Sequence, residues 1–407
     1  MKVAIVGGGA SGMVTAYLLS QKGHQVTVFE KQAQLGGNIR TLNRNVTSEH
    51  VGNDLFLECG VLEFSNEFQH FRRLMQGLKV ELESVDIGTA LFLNDGRYFL
   101  SPSMIRKNLL GMKRIKAYAR LASLYVPTMK LWLKSLFTDT RHLHPQSIGQ
   151  FLGAECTRND WLKLLSMYSY SIRYDLVNEM PAELVIPVLR KYMWAGWFRI
   201  KGGTFSYIEK ILEQLNGDVI LNSEIVGIRR NSNGVNVALK GDRTHRFDKL
   251  VFATPPDQVL VLLSDPSHEE IKRFQPWQAN QVTTVLHTDT SLYARYGIDA
   301  YSEFDFFQTE TGWGYNAALN KICGVNSPTQ YNLAFKLASL IDEAQILHRQ
   351  SHHTPLYTVS AYRYRDEVIS NNGENNTYHA GAYLGDGLHE GAIASAMRVA
   401  QLIDSCP

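Results

Sequence analysis

Residues 1–31, MKVAIVGGGASGMVTAYLLSQKGHQVTVFEK, decide the fold of this chain. Val3–Val6 form an unbroken apolar run, which is typical of a parallel strand buried on both faces. The run leads directly into Gly7-x-Gly9-x-x-Gly12. Because glycine weakens strands and helices alike, three glycines at this spacing indicate a backbone that turns tightly and closely approaches a ligand.

The residues after these glycines complete a strand–helix–strand unit. A helical pattern over 12–22 ends at Gly23, and Gln25–Phe29 is the predicted second strand. The free N–H groups at the helix start attract a pyrophosphate, and an acid after the second strand can hydrogen-bond a ribose diol. An ordinary tight turn is the alternative, but all parts of a dinucleotide site stand here in order. The residues predicted to bind the dinucleotide are Gly7, Gly9, Ala10, Ser11, Gly12, Glu30 and Lys31.

A second glycine pair, in GGNIRT at 36–41, distinguishes FAD from a nicotinamide cofactor. A nicotinamide enzyme has no general need of glycines at this point. Here the chain resembles the flavin amine oxidase superfamily, in which a Gly-Gly-Arg-x-x-Ser/Thr segment lies beside the FAD phosphates. The resemblance implies contacts with FAD from Gly36, Gly37, Asn38 and Arg40. Asn38 stands where many members carry arginine, so Arg40 is expected to supply the charge.

Three later segments carry the same resemblance. LECGVLEF (57–64) resembles the strand that brings Glu58 and Gly60 close to the flavin. The segment at 202–230 resembles the return into the FAD domain, where the backbone near Ile225 contacts adenine. YHAGAYLGDGLHEGAIASAMRVAQLI (378–403) resembles the C-terminal flavin segment, whose helix turns its first N–H groups toward the pyrimidine edge of the flavin. The flavin contacts implied there are Gly381, Gly387, His389, Glu390 and Ile393.

A narrower resemblance covers nearly the whole chain. VLHTDTSLYARY (285–296), HHTPLYT (352–358) and GAYLGDGLHEG (381–391) resemble predicted NAD/FAD-binding proteins associated with cyclopropane-fatty-acyl synthases. No cysteine lies between Leu356 and His379, where monoamine oxidases attach FAD, so the resemblance implies non-covalent FAD. QVTTVLHTD (281–289) lacks the lysine that many amine oxidases place near the flavin, which disfavours amine oxidation.

The predicted fold class is α/β, with a Rossmann-like FAD-binding domain of the glutathione-reductase type and an inserted substrate domain of mixed helix and sheet. The first insertion is predicted to be helical, and the second to contain strands at Gln281–His287 and 313–319. The predicted domains are 1–65, 200–260 and 355–407 for FAD binding, and 66–199 and 261–354 for the substrate.

Composition narrows the class of protein. The net charge of +2 over 407 residues gives no indication of nucleic-acid binding. Four scattered cysteines fit reduced thiols in the cytoplasm, and the chain start lacks the apolar length of a signal peptide. Neither a serine nucleophile motif nor HExxH is present, and two histidine pairs, at 142/144 and 352/353, lack ligand-spaced partners. No metal site is predicted, and the oligomeric state is left open.

The charged side chains of residues 96–138 are all positive. This stretch contains nine Lys or Arg residues and no Asp or Glu, and the cations alternate with large apolar side chains. Such a stretch can lie on an anionic bilayer, and the alternative is ordinary surface helices with solvated lysines. The expected location is the cytoplasm, and a peripheral contact at the inner face of the membrane is left open as one of these two alternatives.

Aromatic residues cluster in the segments expected to cover the flavin. They suggest a largely apolar cavity, and hence an apolar, fatty-acyl-like substrate that is desaturated, oxidised or isomerised. An oxidase of a small amine or amino acid is the alternative, and a non-catalytic flavin-binding partner of a lipid-modifying enzyme is the third. No catalytic residue can be named. The aromatic residues are Tyr168, Tyr170, Tyr174, Trp194, Trp197, Phe198, Trp313, Tyr315, Tyr362 and Tyr383.

Overall fold

The structure is a computed structural model that describes residues 1–153, 160–241, 243–299 and 301–405. Cys156 and Cys406 lie outside the described residues. The strands are β1 Lys2–Val6, β2 Gln25–Phe29, β3 Phe64–Ser65, β4 Leu82–Val85, β5 Thr89–Phe92, β6 Tyr98–Phe99, β7 Trp197–Ile200, β8 Gly217–Ile220, β9 Ile225–Asn231, β10 Gly234–Leu239, β11 Arg243–Phe247, β12 Lys249–Phe252, β13 Ala279–His287, β14 Phe304–Thr309, β15 Gly312–Ala318, β16 Asn332–Phe335, β17 Ile346–Pro355 and β18 Thr377–His379. The helices are α1 Ala10–Gln21, α2 Gln69–Gly77, α3 Pro102–Asn108, α4 Gly111–Phe137, α5 Ile148–Leu152, α6 Asp160–Tyr170, α7 Ala182–Tyr192, α8 Ser206–Gln214, α9 Val259–Leu262, α10 His268–Phe274, α11 Ser291–Ala294, α12 Leu319–Ile322, α13 Val359–Tyr362, α14 Arg365–Ser370 and α15 His389–Asp404.

A five-stranded parallel sheet, in the order β18-β12-β1-β2-β8, supports the N-terminal glycines. Val3 and Ile5 pack in the apolar cluster that includes α1, α8 and α15. Ala4 and Val6 pack in a second cluster, which includes β9 and β10. Successive strand residues point to opposite faces, so both faces of β1 are covered, which explains its unbroken apolar run. The predicted strands and helix of the opening unit are confirmed.

A seven-stranded sheet, in the order β17-β13-β16-β15-β14-β5-β6, forms the second layer. Its strands β13 and β15 are the predicted strands at 281–287 and 313–319. The prediction that 66–199 is helical is wrong in part, because β5 pairs in parallel with β14 and β6 continues the sheet. The pairing of Thr89 with Phe304 joins distant parts of the chain, which no local sequence pattern encodes.

The two large sheets draw on different parts of the chain. The parallel sheet takes its strands from 2–29, 217–252 and 377–379, and the seven-stranded sheet takes its strands from 89–99 and 279–355. The predicted domain boundaries stay a prediction. Within the described ranges, the structure contains no helix whose length and apolar content would let it cross a bilayer.

Candidate functional site

The first glycine turn lies at the carboxyl end of β1 and presents the start of α1. Gly9 is the N-cap of α1, and no side chain caps the helix or places an acid in its first turn. A Cβ atom on Gly12 would lie 1.9 Å from the carbonyl oxygen of Gly7, so α1 and the turn approach too closely for any other residue. The N–H groups at the uncapped start of α1 form a cradle suited to a phosphate.

The second glycine pair lies directly against the first turn. The Gly36 N–H donates to the Gly8 carbonyl oxygen at 2.8 Å, and Gly9 and Gly36 form an isolated parallel bridge. Gly37 has a φ of +59°, and a Cβ atom there would lie 3.0 Å from the Cα of Gly9. The two segments therefore form one concave backbone surface.

Glu30 is buried at the end of β2, beside the glycine turn. Its carboxylate accepts the Gly8 N–H at 2.8 Å and the Gln32 N–H at 2.9 Å. A carboxylate has about four acceptor positions, so acceptor capacity remains for a ribose hydroxyl. Lys31 is exposed, and Ile225 is half-buried at the start of β9.

Arg40 is 1% exposed and turns into its own loop. Its guanidinium donates to the carbonyl oxygens of Leu35 and Ile39 at 2.9 and 3.2 Å, and to the Gln32 side chain at 2.5 Å. Burial lowers the pKa of Arg40, although the charge of Glu30 acts in the opposite direction. Among the described residues, the buried Nε of Arg40 has no hydrogen-bond partner. A buried donor without a partner beside the glycine cradle fits an anionic ligand.

Glu58 ties together segments that are distant in sequence. Its buried carboxyl accepts the Thr41 hydroxyl at 2.9 Å and the Thr204 N–H at 2.6 Å. Burial raises the pKa of Glu58 to about 7, although these hydrogen bonds act to lower it. The resemblance implied a strand at 57–64, but the structure has only an isolated bridge between Thr41 and Glu58 there, and β3 begins at Phe64. A Cβ atom on Gly60 would lie 2.1 Å from the carbonyl oxygen of Asn38, so the segment at 57–60 lies against the second glycine segment.

The C-terminal segment reaches the same site through α15. Ser11 of α1 donates its hydroxyl to the Ala392 carbonyl oxygen at 3.2 Å, which places the starts of α1 and α15 side by side. The carboxylate of Asp386 accepts the Leu388 and Gly391 N–H groups, each at 2.9 Å, and caps α15. Gly387 has a φ of +74°, and a Cβ atom there would lie 2.7 Å from the Tyr170 ring. The backbone at 387–391 thus lies against the end of α6.

The other predicted residues of this segment face the core. The Gly381 N–H donates to the Ser395 hydroxyl at 2.9 Å, and Ile393 is fully buried. The Glu390 carboxylate accepts the His70 and Phe71 N–H groups at 2.9 and 3.0 Å and caps α2. The Ile393 side chain is therefore committed to packing, and the Glu390 side chain to capping.

The His389 ring packs edge-on against Phe64 and Phe71, and its Nε2 lies 2.9 Å from the Tyr207 hydroxyl. Burial lowers the pKa of His389 to about 4. We expect His389→Ala to retain the cofactor, because its side chain serves the core, while losing about 2 kcal/mol of stability from ring packing and one hydrogen bond. Thermal unfolding and the flavin-to-protein absorbance ratio measure both effects, and a colourless, folded variant would contradict this expectation.

Aromatic side chains connect the segment after Gly60 to the turn at Gly387. Tyr168 donates its hydroxyl to Glu63 at 2.6 Å and stacks on Phe304 at 4.2 Å between ring centroids. Tyr170, on the same helix, donates its hydroxyl to the Asp386 carbonyl oxygen at 3.0 Å. Burial raises the pKa of Glu63 to about 7, and its Oε2 is buried with no hydrogen-bond partner among the described residues. The cluster defined by Glu63, Tyr168, Phe304 and Tyr315 is called the aromatic chamber below.

Other predicted aromatic residues occupy different places. Trp194 is 68% exposed and does not belong to the apolar core. It follows the end of α7, where the helix face turns toward solvent. Trp197 and Phe198 are half-buried in β7, between β3 and β4. Tyr362 donates its hydroxyl to the Gly385 carbonyl oxygen at 2.8 Å, and Tyr383 is buried beside Gly381.

Sequence reasoning missed two side chains beside Gly60. The Thr284 hydroxyl donates to the Cys59 carbonyl oxygen at 2.7 Å, and His352 Nε2 lies 2.9 Å from the same oxygen. Burial lowers the pKa of His352 to about 4, so the ring is neutral at physiological pH. The lysine-free strand and the histidine pair were visible in the sequence, but only the pairing of β13 with β17 brings them together.

The family comparison supports this arrangement. Residues 10–291 match the family model of flavin-containing amine oxidoreductases. The 4,4′-diapophytoene desaturase of Staphylococcus aureus (strain Newman) is 25% identical over an alignment of 314 residues, and the match covers 68% of this chain and 59% of that protein. The chain thus matches about three-fifths of the length of this curated relative.

Two solved structures share the fold. A fatty acid isomerase from P. acnes that produces CLA aligns with a TM-score of 0.73 and 15% identity, over 98% of this chain and 97% of that one. Putrescine oxidase bound to putrescine aligns with a TM-score of 0.68 and 16% identity, over 99% of both chains. At these identities the likeness shows the fold alone.

The match to the family model extends over well more than half of the chain. It confirms the predicted superfamily, and the fold neighbours confirm the Rossmann-like fold. A flavin is the cofactor of this family. The parallel sheet and the paired glycine segments agree with this match. The chain belongs to the family of flavin-containing amine oxidoreductases.

Proposed function

We propose that the protein binds FAD non-covalently. The observation that carries this proposal is the backbone contact of the two glycine segments at the uncapped start of α1. These N–H groups would hold the pyrophosphate, and Glu30 would hold the adenosine ribose. Burial raises the pKa of Cys59 and of Cys323 well above the thiol range, which keeps both protonated and unreactive. Unreactive thiols support a cofactor that is not covalently attached.

The cofactor is tested by acid precipitation of the purified protein. We expect the flavin to remain in the supernatant and to co-migrate with FAD, and phosphodiesterase to convert it to FMN. A flavin that stays with the precipitate, or one that is FMN before digestion, would reject the proposal.

We further propose that the substrate is apolar, with a fatty-acyl chain as the first candidate. The aromatic chamber carries this proposal, because three of its four residues contribute aromatic rings, and these rings pack against one another. When bound, the flavin supplies the redox step of a desaturation or oxidation, or the temporary hydride acceptor of an isomerisation. The residues of the protein would hold the acyl chain between the segment at 57–60 and the Gly387 turn and would exclude water.

Two of the comparisons support an apolar substrate. A carotenoid-type desaturase is a sequence relative, and a fatty acid isomerase is a fold neighbour. The test adds unsaturated fatty acids or acyl lipids without oxygen and follows the absorbance of the flavin at ~450 nm. This absorbance should bleach when the flavin takes up electrons. Conjugated-diene absorbance without net bleaching would indicate isomerisation. A flavin unchanged by every lipid, with no altered product, would count against an apolar substrate.

A second candidate, an oxidase of a small amine, is favoured by one observation. Glu63 is a carboxyl within the aromatic chamber, and its Oε2 has no hydrogen-bond partner among the described residues. A carboxylate beside aromatic rings can hold an ammonium group. Bleaching of the flavin by amines, with release of peroxide in air, would support this candidate. A flavin inert to lipids and amines alike would favour the third hypothesis, a non-catalytic partner of a lipid-modifying enzyme.

Glu63→Gln separates the two substrate classes. Glutamine keeps the shape and can still accept the Tyr168 hydroxyl, but it carries no charge. We expect the variant to retain turnover of an acyl substrate and to lose turnover of an amine by about tenfold or more, since a hydrogen bond to a charged group contributes about 1.5–3 kcal/mol. Loss of acyl turnover with amine turnover intact would contradict the apolar assignment.

The same variant has a pH signature. The folded-state pKa of Glu63 is raised to about 7, so the stability that its protonated form contributes is lost as pH rises from the unfolded value through 7. Glu63→Gln removes this loss. The unfolding temperature of the variant relative to the wild type should therefore increase between acidic pH and pH 8, and a constant difference would show that Glu63 does not titrate there.

A further inference from the structure

The longest helix of the protein presents apolar side chains to solvent. Helix α4 spans 27 residues, and only Leu121, Thr128, Leu131 and Ser135 of it are buried. On its exposed side, Ile115 is 62% exposed, Leu133 is 49% exposed and Phe137 is 89% exposed. Soluble helices normally turn such residues toward the core. This face of α4 therefore requires a partner outside the fold.

The exposed apolar residues form one stripe. They follow one another at intervals of three, four or seven positions, so they share one face of the helix, opposite the buried residues. At 1.5 Å per residue the stripe runs along about 40 Å of helix. The residues of this stripe, called the outer stripe, are Met112, Ile115, Ala119, Ala122, Val126, Leu133 and Phe137.

A row of cations borders the outer stripe. Lys113, Lys116, Arg120 and Lys130 are exposed, and no carboxylate in the described part of the chain pairs with any of them. The sequence from 96 to 138 contains no acidic residue that could neutralise them. An apolar stripe bordered by unpaired cations matches an acyl layer under anionic headgroups, whereas a typical protein partner would offer mixed charges.

Trp194 extends the same surface. Its indole is 68% exposed and contacts the Trp132 ring of α4, edge to face, at 6.0 Å between centroids. Tryptophan is enriched where protein meets the headgroup layer of a membrane. An indole in this place gives a second, independent indication of a lipid interface.

We propose that α4 and Trp194 form a docking surface for an anionic bilayer. The helix lies parallel to the membrane plane, with the outer stripe in the acyl boundary and the cations at the headgroups. The lipid source is the bilayer itself, recognised by its negative charge and apolar interior.

The docking surface lies next to the aromatic chamber. The Tyr125 ring of α4 contacts Trp161 of α6 at 5.5 Å between centroids, and α6 carries Tyr168, which donates to Glu63. A docked α4 would therefore place α6, the helix that carries Tyr168, directly behind the membrane-facing helix. This last step rests on the proposed function, but the docking itself does not, so lipid binding can be measured without turnover.

Co-sedimentation of the holoprotein with vesicles tests the proposal. The vesicles contain phosphatidylcholine alone or phosphatidylcholine with phosphatidylglycerol, at low and at high salt. We expect strong binding to the anionic vesicles at low salt and weaker binding to the neutral vesicles or at high salt, because exposed charges are screened. Equal, negligible sedimentation in all conditions would overturn the proposal.

Matched variants separate the stripe from the charges. Ile115→Ser/Val126→Ser/Leu133→Ser should lose vesicle binding, whereas Val261→Ser/Leu340→Ser, which changes exposed apolar residues elsewhere, should not. Lys113→Glu/Lys116→Glu/Lys130→Glu should weaken binding to anionic vesicles by about tenfold or more. Lys79→Glu/Arg229→Glu/Lys336→Glu is the charge control. Equal binding by the stripe variant and its control would refute the role of α4.

Brominated lipids give a readout that does not depend on sedimentation. Indole fluorescence of the wild type should be quenched by brominated acyl chains, and Trp194→Phe should lose most of that quenching. Quenching unchanged by the substitution would place the lipid contact elsewhere. Light scattering without lipid tests whether a second copy of the protein binds this face instead. A stable dimer that the stripe substitutions abolish would mean that a second copy, and not a bilayer, covers the face.

Discussion

Gly12→Ala should prevent the protein from accumulating in a folded, flavin-bound form. The added Cβ atom would lie 1.9 Å from the Gly7 carbonyl oxygen and 3.2 Å from the Ala253 side chain. The position of the Cβ atom is fixed by the backbone of residue 12, and the atom it meets at 1.9 Å belongs to the backbone of Gly7, so rotamer changes cannot relieve the clash. Its cost should exceed the about 1–3 kcal/mol typical of one inserted methylene group. Soluble yield, circular dichroism and flavin absorbance measure the loss.

Gly9→Ala is the matched control. Gly9 has a φ of −80°, which suits alanine, and the new Cβ atom would lie 3.6 Å from the Cα of Gly37, an ordinary contact. We expect this variant to fold but to bind flavin more weakly, because the methyl group fills the cradle between the glycine segments. A Gly12→Ala protein with unchanged yield, unfolding temperature and flavin content would contradict the close approach of α1 to the turn.

Arg230→Met should cost about 3–5 kcal/mol of stability. The Arg230 Nη2 donates to the Glu270 carboxylate at 2.8 Å, and the two side chains are 4% and 5% exposed. Nε also donates to Asp265 at 3.2 Å, so the guanidinium connects β9 to α10 and to the loop before it. Removing the arginine leaves the Glu270 charge buried without its partner. Denaturant unfolding gives the magnitude.

The pH dependence identifies the cause. Burial alone would raise the pKa of Glu270, but its hydrogen bond to Arg230 holds the pKa below the usual range. A lowered folded pKa contributes stability above the unfolded pKa, and that stability is lost as pH falls through the folded value. The cost of Arg230→Met should thus be full near pH 7 and shrink in acid, where Glu270 becomes neutral.

The double variant Arg230→Met/Glu270→Gln checks this explanation. It removes the uncompensated charge while the glutamine can still accept the Ser267 N–H that Glu270 accepts at 2.8 Å. We expect it to recover most of the lost stability. A double variant no more stable than Arg230→Met would assign the loss to packing of the arginine stem instead of to the buried charge.

The sequence alone determined the elements whose signals are local. The run at Val3–Val6, the glycine spacing and the following helical period predicted β1 and α1, and the structure begins α1 at Ala10 because Gly9 serves as its N-cap. The hairpin between β9 and β10 turns at Ser232 and Asn233, and Gly234, with a φ of +125°, follows the turn as the first residue of β10. These signals depend on an unbroken apolar run, on the backbone freedom of glycine and on helical periodicity over neighbouring residues, all of which the sequence displays directly.

Side-chain partners were decided by the tertiary structure. Arg40 follows the second glycine pair in sequence, yet its guanidinium turns inward to the carbonyl oxygens of its own loop. Glu390 stands at the start of α15, yet its carboxylate caps α2. A motif fixes where a backbone passes, but a long polar side chain bonds to whichever buried donors or acceptors the packed elements leave unsatisfied.

The composition of the candidate site was also decided by packing. The sequence displayed a lysine-free strand and a histidine pair, and the pairing of β13 with β17 placed Thr284 and His352 at the Cys59 carbonyl oxygen. The sequence likewise displayed many aromatic residues but could not show which of them are buried. Tyr168 donates its hydroxyl to Glu63, whereas Trp194 is exposed to solvent. Burial of an aromatic ring depends on which distant elements cover it, and that information exists only after the chain has folded.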